Sequence, residues 1–341
     1  MDLSRRHSGG ALALLGAAFV LACGGQKKAE APGQAKAVSF LDKPVRPGKD
    51  RILVLTPFSE NTYSLWNAMR EEVSEELDVV TVESTPSLTS AELGGRIDAV
   101  QPKCVVLVGN TSARQFSALQ DEREETPPSV VLMSSFASEV VAQIRNGTGI
   151  AYEVPGVTSF VRLRKLYERP VRRVGVVYRS SFSGFIDQQR TLAKLEEVEL
   201  VGRAVDGPLA PRRVRLALKE LLQGERVDAL WVINDNALLT PSLLRGAWLP
   251  ELRNYRLPVV VGVASLVNAE LNFGSVAVVP DHEALGVQAA NLLFELLDEE
   301  WEMGARDVEL PLSVKTVVDM TQKEQLKMRS DASDFVDRPV T

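Results

Sequence analysis

The chain has 341 residues, of which 45% are hydrophobic and 25% are charged. This length is enough for two domains of ordinary size, and the composition excludes a disordered chain and a polytopic membrane protein. The formal net charge of −6 argues against a basic surface for nucleic acid, and two cysteines and two histidines leave little material for a disulfide scaffold or a metal site. We therefore expect no nucleic-acid partner, no metal and no cofactor.

Residues 1–22 have the features of a signal peptide. Arg5 and Arg6 provide a positive flank, and residues 11–22 form an uncharged, mostly apolar run. Because a helix needs about 20 apolar residues to cross a bilayer, this run is too short for a permanent span. Residues 20–23, Val-Leu-Ala-Cys, resemble the bacterial lipobox. This resemblance predicts a lipid on Cys23 that anchors the chain on the extracytoplasmic side of a cell-envelope membrane. The alternative is a signal peptide with an incidental cysteine.

Residues 23–50 are predicted to be a flexible linker behind the lipidated cysteine. The segment is rich in Lys, Ala, Gly and Pro and has no sustained apolar period. Such a linker would give the folded part reach from the membrane without a rigid geometry.

From residue 51 onward, short runs rich in β-branched residues alternate with helical stretches. The runs predict strands, and the stretches predict amphipathic helices. In chain order, the predicted strands span residues 52–55, 79–82, 104–108, 129–133, 174–178, 200–204, 229–233, 259–263 and 276–279. The predicted helices span residues 62–76, 157–167, 188–195, 211–222, 240–248 and 283–297, with one more helix that residues 110–112 cap and that ends at 119.

This alternation is typical of parallel sheets covered by helices. The strands are too many for one compact sheet, and the pattern restarts near residue 147. We therefore predict an α/β protein with two doubly wound, Rossmann-like lobes. An eightfold barrel is the alternative architecture.

Polar residues gather where the predicted strands end, which is the edge at which open parallel sheets bind ligands. Hydroxyl and amide groups there could hold a carboxylate, Asp235 or Asp281 could hold an ammonium group, and an aromatic ring (Phe58, Phe136, Tyr178 or Phe182) could stack on an apolar side chain. The alternative is that these polar residues only cap helices. The predicted ligand-binding residues are Ser59, Asn61, Thr62, Asn110, Thr111, Ser112, Ser135, Phe136, Ser181, Asn234, Asp235, Asn236, Ser265 and Asp281.

No catalytic motif stands out. The sequence lacks a G-x-S-x-G elbow, a P-loop, an H-E-x-x-H motif and a C-x-x-C motif. Residues 147–149, Gly-Thr-Gly, lack the third glycine of a dinucleotide fingerprint and are interpreted as a connector. Residues 281–283, Asp-His-Glu, are interpreted as a helix cap rather than a metal triplet. Cys104 lies inside an apolar strand, so it is interpreted as an inert core thiol rather than a nucleophile. We therefore expect that the protein is not an enzyme.

Six segments taken together resemble the ABC-transporter substrate-binding lipoproteins of the type I periplasmic-binding-protein class. The resemblance is to the branch that includes tryptophan- and tyrosine-uptake proteins. Its most specific pieces are the Asp-Asn pair at 235–236 and the Leu-Gly pair at 285–286. The segments are residues 105–112, 146–149, 173–178, 227–236, 258–260 and 285–290.

The resemblance implies two Rossmann-like lobes that are joined by a hinge and close on a ligand. It assigns the N-lobe to residues 51–146 and 281–305 and the C-lobe to residues 147–280 and 306–320, with a charged tail at 321–341. It places ligand contacts at residues 110–112 and 234–236 and in the loops after Leu55 and Tyr178. Where relatives often have an Asn-Pro pair, this chain has Arg179 and Ser180.

The resemblance also implies a function. The chain would deliver a small polar or amino-acid-like solute to the permease and ATPase complex of an ABC importer, by hinge closure. The alternative is a lipoprotein of the same fold that regulates an envelope enzyme or sensor through protein contact.

Overall fold

A computed structural model describes residue 40 and residues 45–341. The predicted signal peptide, the predicted lipidation site Cys23 and most of the predicted linker lie outside the described residues. Across the described ranges, no helix has both the length and the apolar character needed to span a bilayer.

The described residues form twelve strands and eleven α-helices, several of which are short. The strands are β1 (Arg51–Thr56), β2 (Asp78–Glu83), β3 (Cys104–Val108), β4 (Ser129–Leu132), β5 (Gly147–Gly149), β6 (Arg173–Arg179), β7 (Glu199–Val205), β8 (Ala229–Val232), β9 (Val259–Val261), β10 (Val276–Pro280), β11 (Val314–Asp319) and β12 (Arg338–Val340). The helices are α1 (Glu60–Val73), α2 (Ser90–Val100), α3 (Gly109–Glu122), α4 (Ala137–Val141), α5 (Gly156–Leu166), α6 (Ser183–Leu195), α7 (Pro211–Lys219), α8 (Pro241–Leu243), α9 (Leu249–Leu252), α10 (His282–Asp298) and α11 (Lys323–Leu326).

The strands make two separate open sheets, one for each lobe. The first sheet has the order β2-β1-β3-β4-β5 and is parallel throughout. The second sheet has the order β12-β11-β10-β9-β8-β6-β7, and only β10 and β11 run antiparallel. The predicted class, α/β with two doubly wound lobes, is therefore confirmed, and the eightfold barrel is wrong because the two sheets do not close on each other.

Helices cover both faces of the first sheet. The strands are almost wholly apolar, as burial on both faces requires, and all five residues of β3 are buried. α1 and α10 pack on one face through Trp66 and Leu293, whereas α2 and α3 pack on the other face through Leu93 and Phe116. The sequence analysis missed α2, although Thr89 and Glu92 form a reciprocal capping box at its start.

Helices also cover both faces of the second sheet. α5 and α6 cover one face together with the C-terminal residues around Met328. α7 and the helical segment around Trp248 cover the other face. Each lobe therefore has an apolar core on both sides of its sheet, as a doubly wound fold requires.

The chain passes between the two sheets three times, and we call these crossings (residues 150–155, 280–282 and 309–314) the hinge region. The crossings are bonded to one another: the Ala151 N–H donates to the Glu309 carbonyl at 2.8 Å, and the Asp281 N–H donates to the Ser313 carbonyl at 3.0 Å. The side chain of Gln288 on α10 adds bonds to the Leu310 carbonyl and the Leu312 N–H. A short, bonded joint of this kind limits the relative positions that the lobes can take.

Three strands differ from the sequence-based interpretation. Residues 314–319, where the sequence predicts no strand, form β11. Residues 147–149, interpreted as a connector that opens the C-lobe, form β5 at the edge of the first sheet. Glycine is rare in strands, but a Cβ at Gly149 would lie 2.3 Å from the Val131 carbonyl oxygen, so this close pairing needs glycine. In the predicted charged tail, residues 338–340 pair with β11 as an edge strand.

The described end of the predicted linker is attached to the first lobe. The Arg46 guanidinium and backbone N–H both bond to the buried Asp78 carboxylate, with an Nε–Oδ1 distance of 2.8 Å. Phe40 stacks on Phe58 with ring centroids 4.3 Å apart. The described end of the predicted linker is therefore part of the folded lobe, which begins before residue 50.

Candidate functional site

A narrow crevice lies where the carboxyl ends of both sheets meet the hinge region. The cavity at its base has a volume of about 20 Å³, which is room for about one water molecule. Its lining comes from both lobes and from the hinge region, and includes Phe136, Tyr152, Glu153, Phe185, Trp231 and Asn234.

One ring of the first lobe reaches across this crevice. Phe136, in the loop after β4, stacks on Phe182 with centroids 4.0 Å apart and meets Phe185 edge-on at 5.4 Å. Phe185 in turn lies beside Trp231, with centroids 6.1 Å apart. We call these four residues the aromatic cluster. Phe136 has a left-handed backbone (φ 56°), an uncommon conformation for a phenylalanine that the surrounding contacts must hold.

An ion pair stands beside the aromatic cluster in the second lobe. The Arg179 guanidinium, at the end of β6, bonds to Asp235 with Nε–Oδ2 and Nη2–Oδ1 distances of 2.5 and 3.0 Å. It also lies over the Phe182 ring, 4.9 Å from the centroid. Asp235 has a 2% exposed side chain, whereas that of Arg179 is 36% exposed. The buried carboxylate therefore orients a guanidinium whose remaining N–H groups can meet an anion.

Asn234 lies in the same cavity lining with an unused acceptor. Its amide Nδ2 donates to the Gly262 carbonyl at 3.2 Å, while its buried Oδ1 has no hydrogen-bond partner among the described residues. A Cβ at Gly262 would come within 2.4 Å of this oxygen, so glycine makes room for the amide. A buried acceptor without a partner is costly, which is typical of a place where a ligand donor binds.

Glu153, in the hinge region, is the carboxylate of the cavity lining. Burial raises its pKa to about 7, and backbone N–H groups, above all that of Phe136, partly oppose the rise. The same carboxylate thus fixes the loop that carries Phe136. A carboxyl group that titrates near neutrality beside a cavity is a candidate functional group.

A second polar contact stiffens the hinge region. The Tyr152 hydroxyl lies 3.0 Å from His282 Nε2 at the start of α10. Burial lowers the pKa of His282 and raises that of Tyr152 to about 12, so burial favours the neutral form of both rings. The contact joins the first and second crossings without adding charge to the crevice.

Many of the predicted site residues use their polar groups in hydrogen bonds to nearby backbone groups of the first lobe. The Ser59 hydroxyl accepts from the Thr62 N–H at 3.3 Å, and the Thr62 hydroxyl donates to the Pro57 carbonyl at 2.6 Å. The fully buried Ser112 donates to the Val108 carbonyl. Asn110 exchanges two bonds with the backbone of Ser135. These residues shape the loops of the first lobe rather than face the cavity.

Other predicted residues lie apart from the cavity lining. Asn61, Ser181, Asn236 and Ser265 are exposed, and Thr111 lines a separate outer groove of the first lobe together with Arg114. Of the fourteen predicted residues, only Phe136 and Asn234 line the cavity itself.

The two carboxylates expected to hold an ammonium group are already engaged. Asp235 is neutralised by Arg179, and it also accepts from the Ala237 N–H. Asp281 caps α10 and pairs with Lys315 at 2.8 Å. Glu153 makes no ion pair within the described part of the chain, so it is the carboxylate better suited to an ammonium group.

The fourteen predicted residues do not include Glu153, Arg179, Phe185 or Trp231, although the resemblance places ligand contacts in the loop after Tyr178, which begins at Arg179. Arg179 carried a usable signal, because it is a charged residue at the carboxyl end of a predicted strand. Trp231 and Phe185 have the spacing of core residues, and Glu153 stands alone in an apolar run, so no sequence pattern distinguishes them. Across the described ranges, no three His, Cys, Asp or Glu side chains group as a metal site would require.

No family model and no curated protein matches this sequence. Solved structures do match it. A ligand-free, open substrate binding protein with adhesive properties from Clostridium difficile is 13% identical, with a TM-score of 0.62 over 86% of this chain and 99% of that chain. An ABC domain in complex with L-Trp from Streptococcus pneumonia is 16% identical, with a TM-score of 0.54 over 86% of this chain and 100% of that one.

A third structure, a XylFII–LytSN complex, is 12% identical, with a TM-score of 0.52 over 79% of this chain and 97% of that chain. Identities this low establish the fold alone. The chain has the two-lobed fold of the type I periplasmic binding proteins, which confirms the class expected from the sequence.

Proposed function

From this fold and crevice, we propose that the chain is a solute-binding protein, not an enzyme, and that it takes a small amino-acid-like solute between its lobes. The observation that carries the proposal is the oriented Arg179 guanidinium beside the aromatic cluster. A guanidinium held by a buried carboxylate is suited to bind a solute carboxylate with paired hydrogen bonds.

A series of contacts connects this guanidinium to the Glu153 carboxyl group. Arg179 covers Phe182, Phe182 stacks on Phe136, and the Phe136 N–H bonds to Glu153. A solute carboxylate at Arg179 and a solute ammonium at Glu153 would thus bracket the rings of the aromatic cluster. Between them, the solute's apolar side chain would replace ring contacts, and the free Asn234 Oδ1 would accept one of its donors.

The proposed mechanism is hinge closure. Phe136, carried by the first lobe, would leave the rings of the second lobe when the crevice opens and return over the bound solute. Closure would then gain free energy only when the solute bridges both lobes.

We further propose that the protein works outside the cytoplasm. A lipid on Cys23 would hold it to a membrane, where it would deliver its solute to the permease and ATPase complex of an ABC importer. Mass spectrometry of the membrane-extracted protein is expected to find an acylated Cys23 as the first residue, and the variant Cys23→Ala is expected to be released from the membrane. A leader left uncut would overturn the anchor.

A thermal-shift series tests the solute. Amino acids with apolar side chains are expected to raise the melting temperature, because binding at 100 times Kd stabilises the folded state by about 2.7 kcal/mol. The matching amines without a carboxylate, and the matching acids without an ammonium group, are expected to have much weaker effects. Equal effects of all three series would overturn the assignment of Arg179 and Glu153.

One observation favours a second function, regulation of an envelope enzyme or sensor through protein contact. Phe136 already fills the crevice, and the cavity that remains is about 20 Å³. If amino acids, nucleosides and sugars all leave the melting temperature unchanged, the crevice is closed by its own side chain, and the regulatory function becomes the better proposal.

A further inference from the structure

The outer surface of the second lobe carries a concentrated positive charge. Helix α7 contains Arg212, Arg213, Arg215 and Lys219 and has no aspartate or glutamate, although the whole chain has a net charge of −6. Its buried face packs on the lobe through Val214, Ala217 and Leu218.

Residues three and four apart in a helix share one side, so Arg212, Leu216 and Lys219 form a row with Arg215 beside it. Leu216 is 59% exposed at the centre of these cations. The adjacent helical turn adds Arg245: Gly246 packs closely on Pro211, where a Cβ at the glycine would lie 3.1 Å from the proline Cγ. We call Arg212, Arg213, Arg215, Leu216, Lys219 and Arg245 the basic face.

Little of this charge is neutralised. The buried Glu251 pairs with Arg215 at 2.9 Å and lies 4.0 Å from Lys219. Arg213 donates to the Asp206 carbonyl, which carries no net charge. Within the described part of the chain, Arg212 and Arg245 have no hydrogen bond or ion pair with their side chains.

We propose that the basic face docks on the anionic phospholipid headgroups of a membrane. Headgroups offer many phosphate oxygens without a fixed pattern, and they lie above an apolar layer, so they match a row of exposed cations around one exposed leucine. The rest of the chain is acidic, so only a local surface of this kind would attract an anionic bilayer. An acidic protein surface is the competing occupant. The proposal goes beyond solute binding, because it concerns how the second lobe lies against a membrane.

Vesicle binding of the full chain tests the proposal without any solute, so its outcome is independent of the solute-binding proposal. The measurement is the ratio of affinities for vesicles that contain phosphatidylglycerol and for vesicles of phosphatidylcholine alone. The segment before the folded lobes is the same in the wild type and in both variants, so it contributes equally to the ratio in all three. The test variant R212A/K219A/R245A keeps the ion pair between Arg215 and the buried Glu251, so the fold is expected to be retained. Thermal unfolding of the variant checks this.

Each cation at an anionic surface contributes about five-fold in affinity, so the triple variant is expected to lose up to about 100-fold of the phosphatidylglycerol preference. The matched control R96A/K103A/R114A removes three exposed cations from the first lobe and is expected to keep most of that preference. Equal losses in both variants would attribute the preference to net charge and overturn the proposal. A wild-type chain that binds both vesicles equally would also overturn it, and would leave an acidic protein as the occupant.

Discussion

The two lobes bring different chemistry to the crevice. The second lobe contributes a charged pair, Arg179 with Asp235, and three of the four rings of the aromatic cluster. The first lobe contributes one ring, Phe136, while the polar residues at its strand ends cap helices or bond to its own loops. Two lobes of similar architecture therefore have unequal parts in the proposed site.

This difference indicates an order of events. A solute could bind the second lobe alone, because the guanidinium and the rings are held there by contacts within that lobe. The first lobe would then act as the cover, since Phe136 and the hinge-region carboxylate Glu153 meet the solute only when the lobes approach. The predictions below test this division of roles.

The largest expected effect is at Arg179. The variant Arg179→Gln is expected to weaken the binding of an amino-acid-like solute by about 100-fold, because a hydrogen bond to a charged group contributes about 1.5–3 kcal/mol. Isothermal calorimetry measures the change. The control Arg114→Gln changes an exposed arginine of the first lobe and is expected to leave the affinity unchanged.

A lost ion pair could also act through stability, since Arg179→Gln leaves the buried Asp235 without its partner. The double variant R179Q/D235N removes both charges and is expected to recover much of the free energy of unfolding but none of the affinity. If the double variant binds as well as the wild type, the guanidinium does not contact the solute.

The second effect concerns the packing of helices α1 and α10 in the first lobe, which acts as the cover. Gly286 on α10 packs against α1 so closely that a Cβ would lie 2.4 Å from the Leu65 carbonyl oxygen. Gly286→Ala is therefore expected to lower the free energy of unfolding by about 2 kcal/mol, since backbone cannot yield as a side chain does.

The control is another helical glycine, Gly184 in the second lobe, where an added Cβ meets nothing within 4 Å. Gly184→Ala is expected to leave the stability unchanged or to raise it by up to about 1 kcal/mol. Chemical denaturation followed by circular dichroism distinguishes the two. Equal effects would mean that the contact of α1 with α10 is looser than the distances indicate.

Most of the fold could be predicted from the sequence because buried parallel strands are nearly continuous apolar runs. β3 and β6, for instance, lie within one residue of their predicted ends. Sequence reasoning missed three strands, β5, β11 and β12, and each breaks that rule. Lys315 and Thr316 interrupt the apolar residues of β11. β5 is two-thirds glycine, and β12 contains a proline, which only an edge strand tolerates. Their pairing depends on neighbours that are distant in the sequence.

The site was less predictable, for a different physical reason. Polar residues at strand ends satisfy helix N-termini as readily as ligands, and Ser59 and Asp281 do so. Whether a carboxylate such as Asp235 is free depends on a cation 56 positions away in the chain. The raised pKa of Glu153 depends on burial between lobes, which no local pattern encodes.

The third effect concerns pH and Glu153. Burial raises the pKa of this carboxyl group from 4.5 to about 7, so the folded state binds its proton more tightly than the unfolded state does. Its contribution to the free energy of unfolding is therefore full below pH 4.5 and is lost as the pH rises to about 7. A solute ammonium needs the charged carboxylate, whose population falls from about one half at pH 7 to about one tenth at pH 6, so solute affinity should fall by about five-fold over that range.

The variant Glu153→Gln keeps an acceptor for the Phe136 N–H but does not titrate. It is expected to bind the solute more weakly than the wild type at pH 8 and to show no change between pH 8 and pH 6. Calorimetry at several pH values measures both. A slope that survives in this variant would assign the titration to another group.

The smallest effect tests whether Asn110 only positions the loop that leads to Phe136 or contacts the solute itself. The Asn110 side chain donates to the Ser135 carbonyl at 3.1 Å and accepts from its N–H at 2.9 Å, which fixes the loop that leads to Phe136. Asn110→Ala is expected to lower the free energy of unfolding by about 1 kcal/mol, because these bonds are lost, and to weaken solute binding by less than about three-fold. The exposed Asn236→Ala, predicted from the same sequence pattern, is the control and is expected to change neither quantity. If Asn110→Ala instead weakens binding more than ten-fold at unchanged stability, the asparagine contacts the solute as the sequence predicts, and the first lobe is more than a cover.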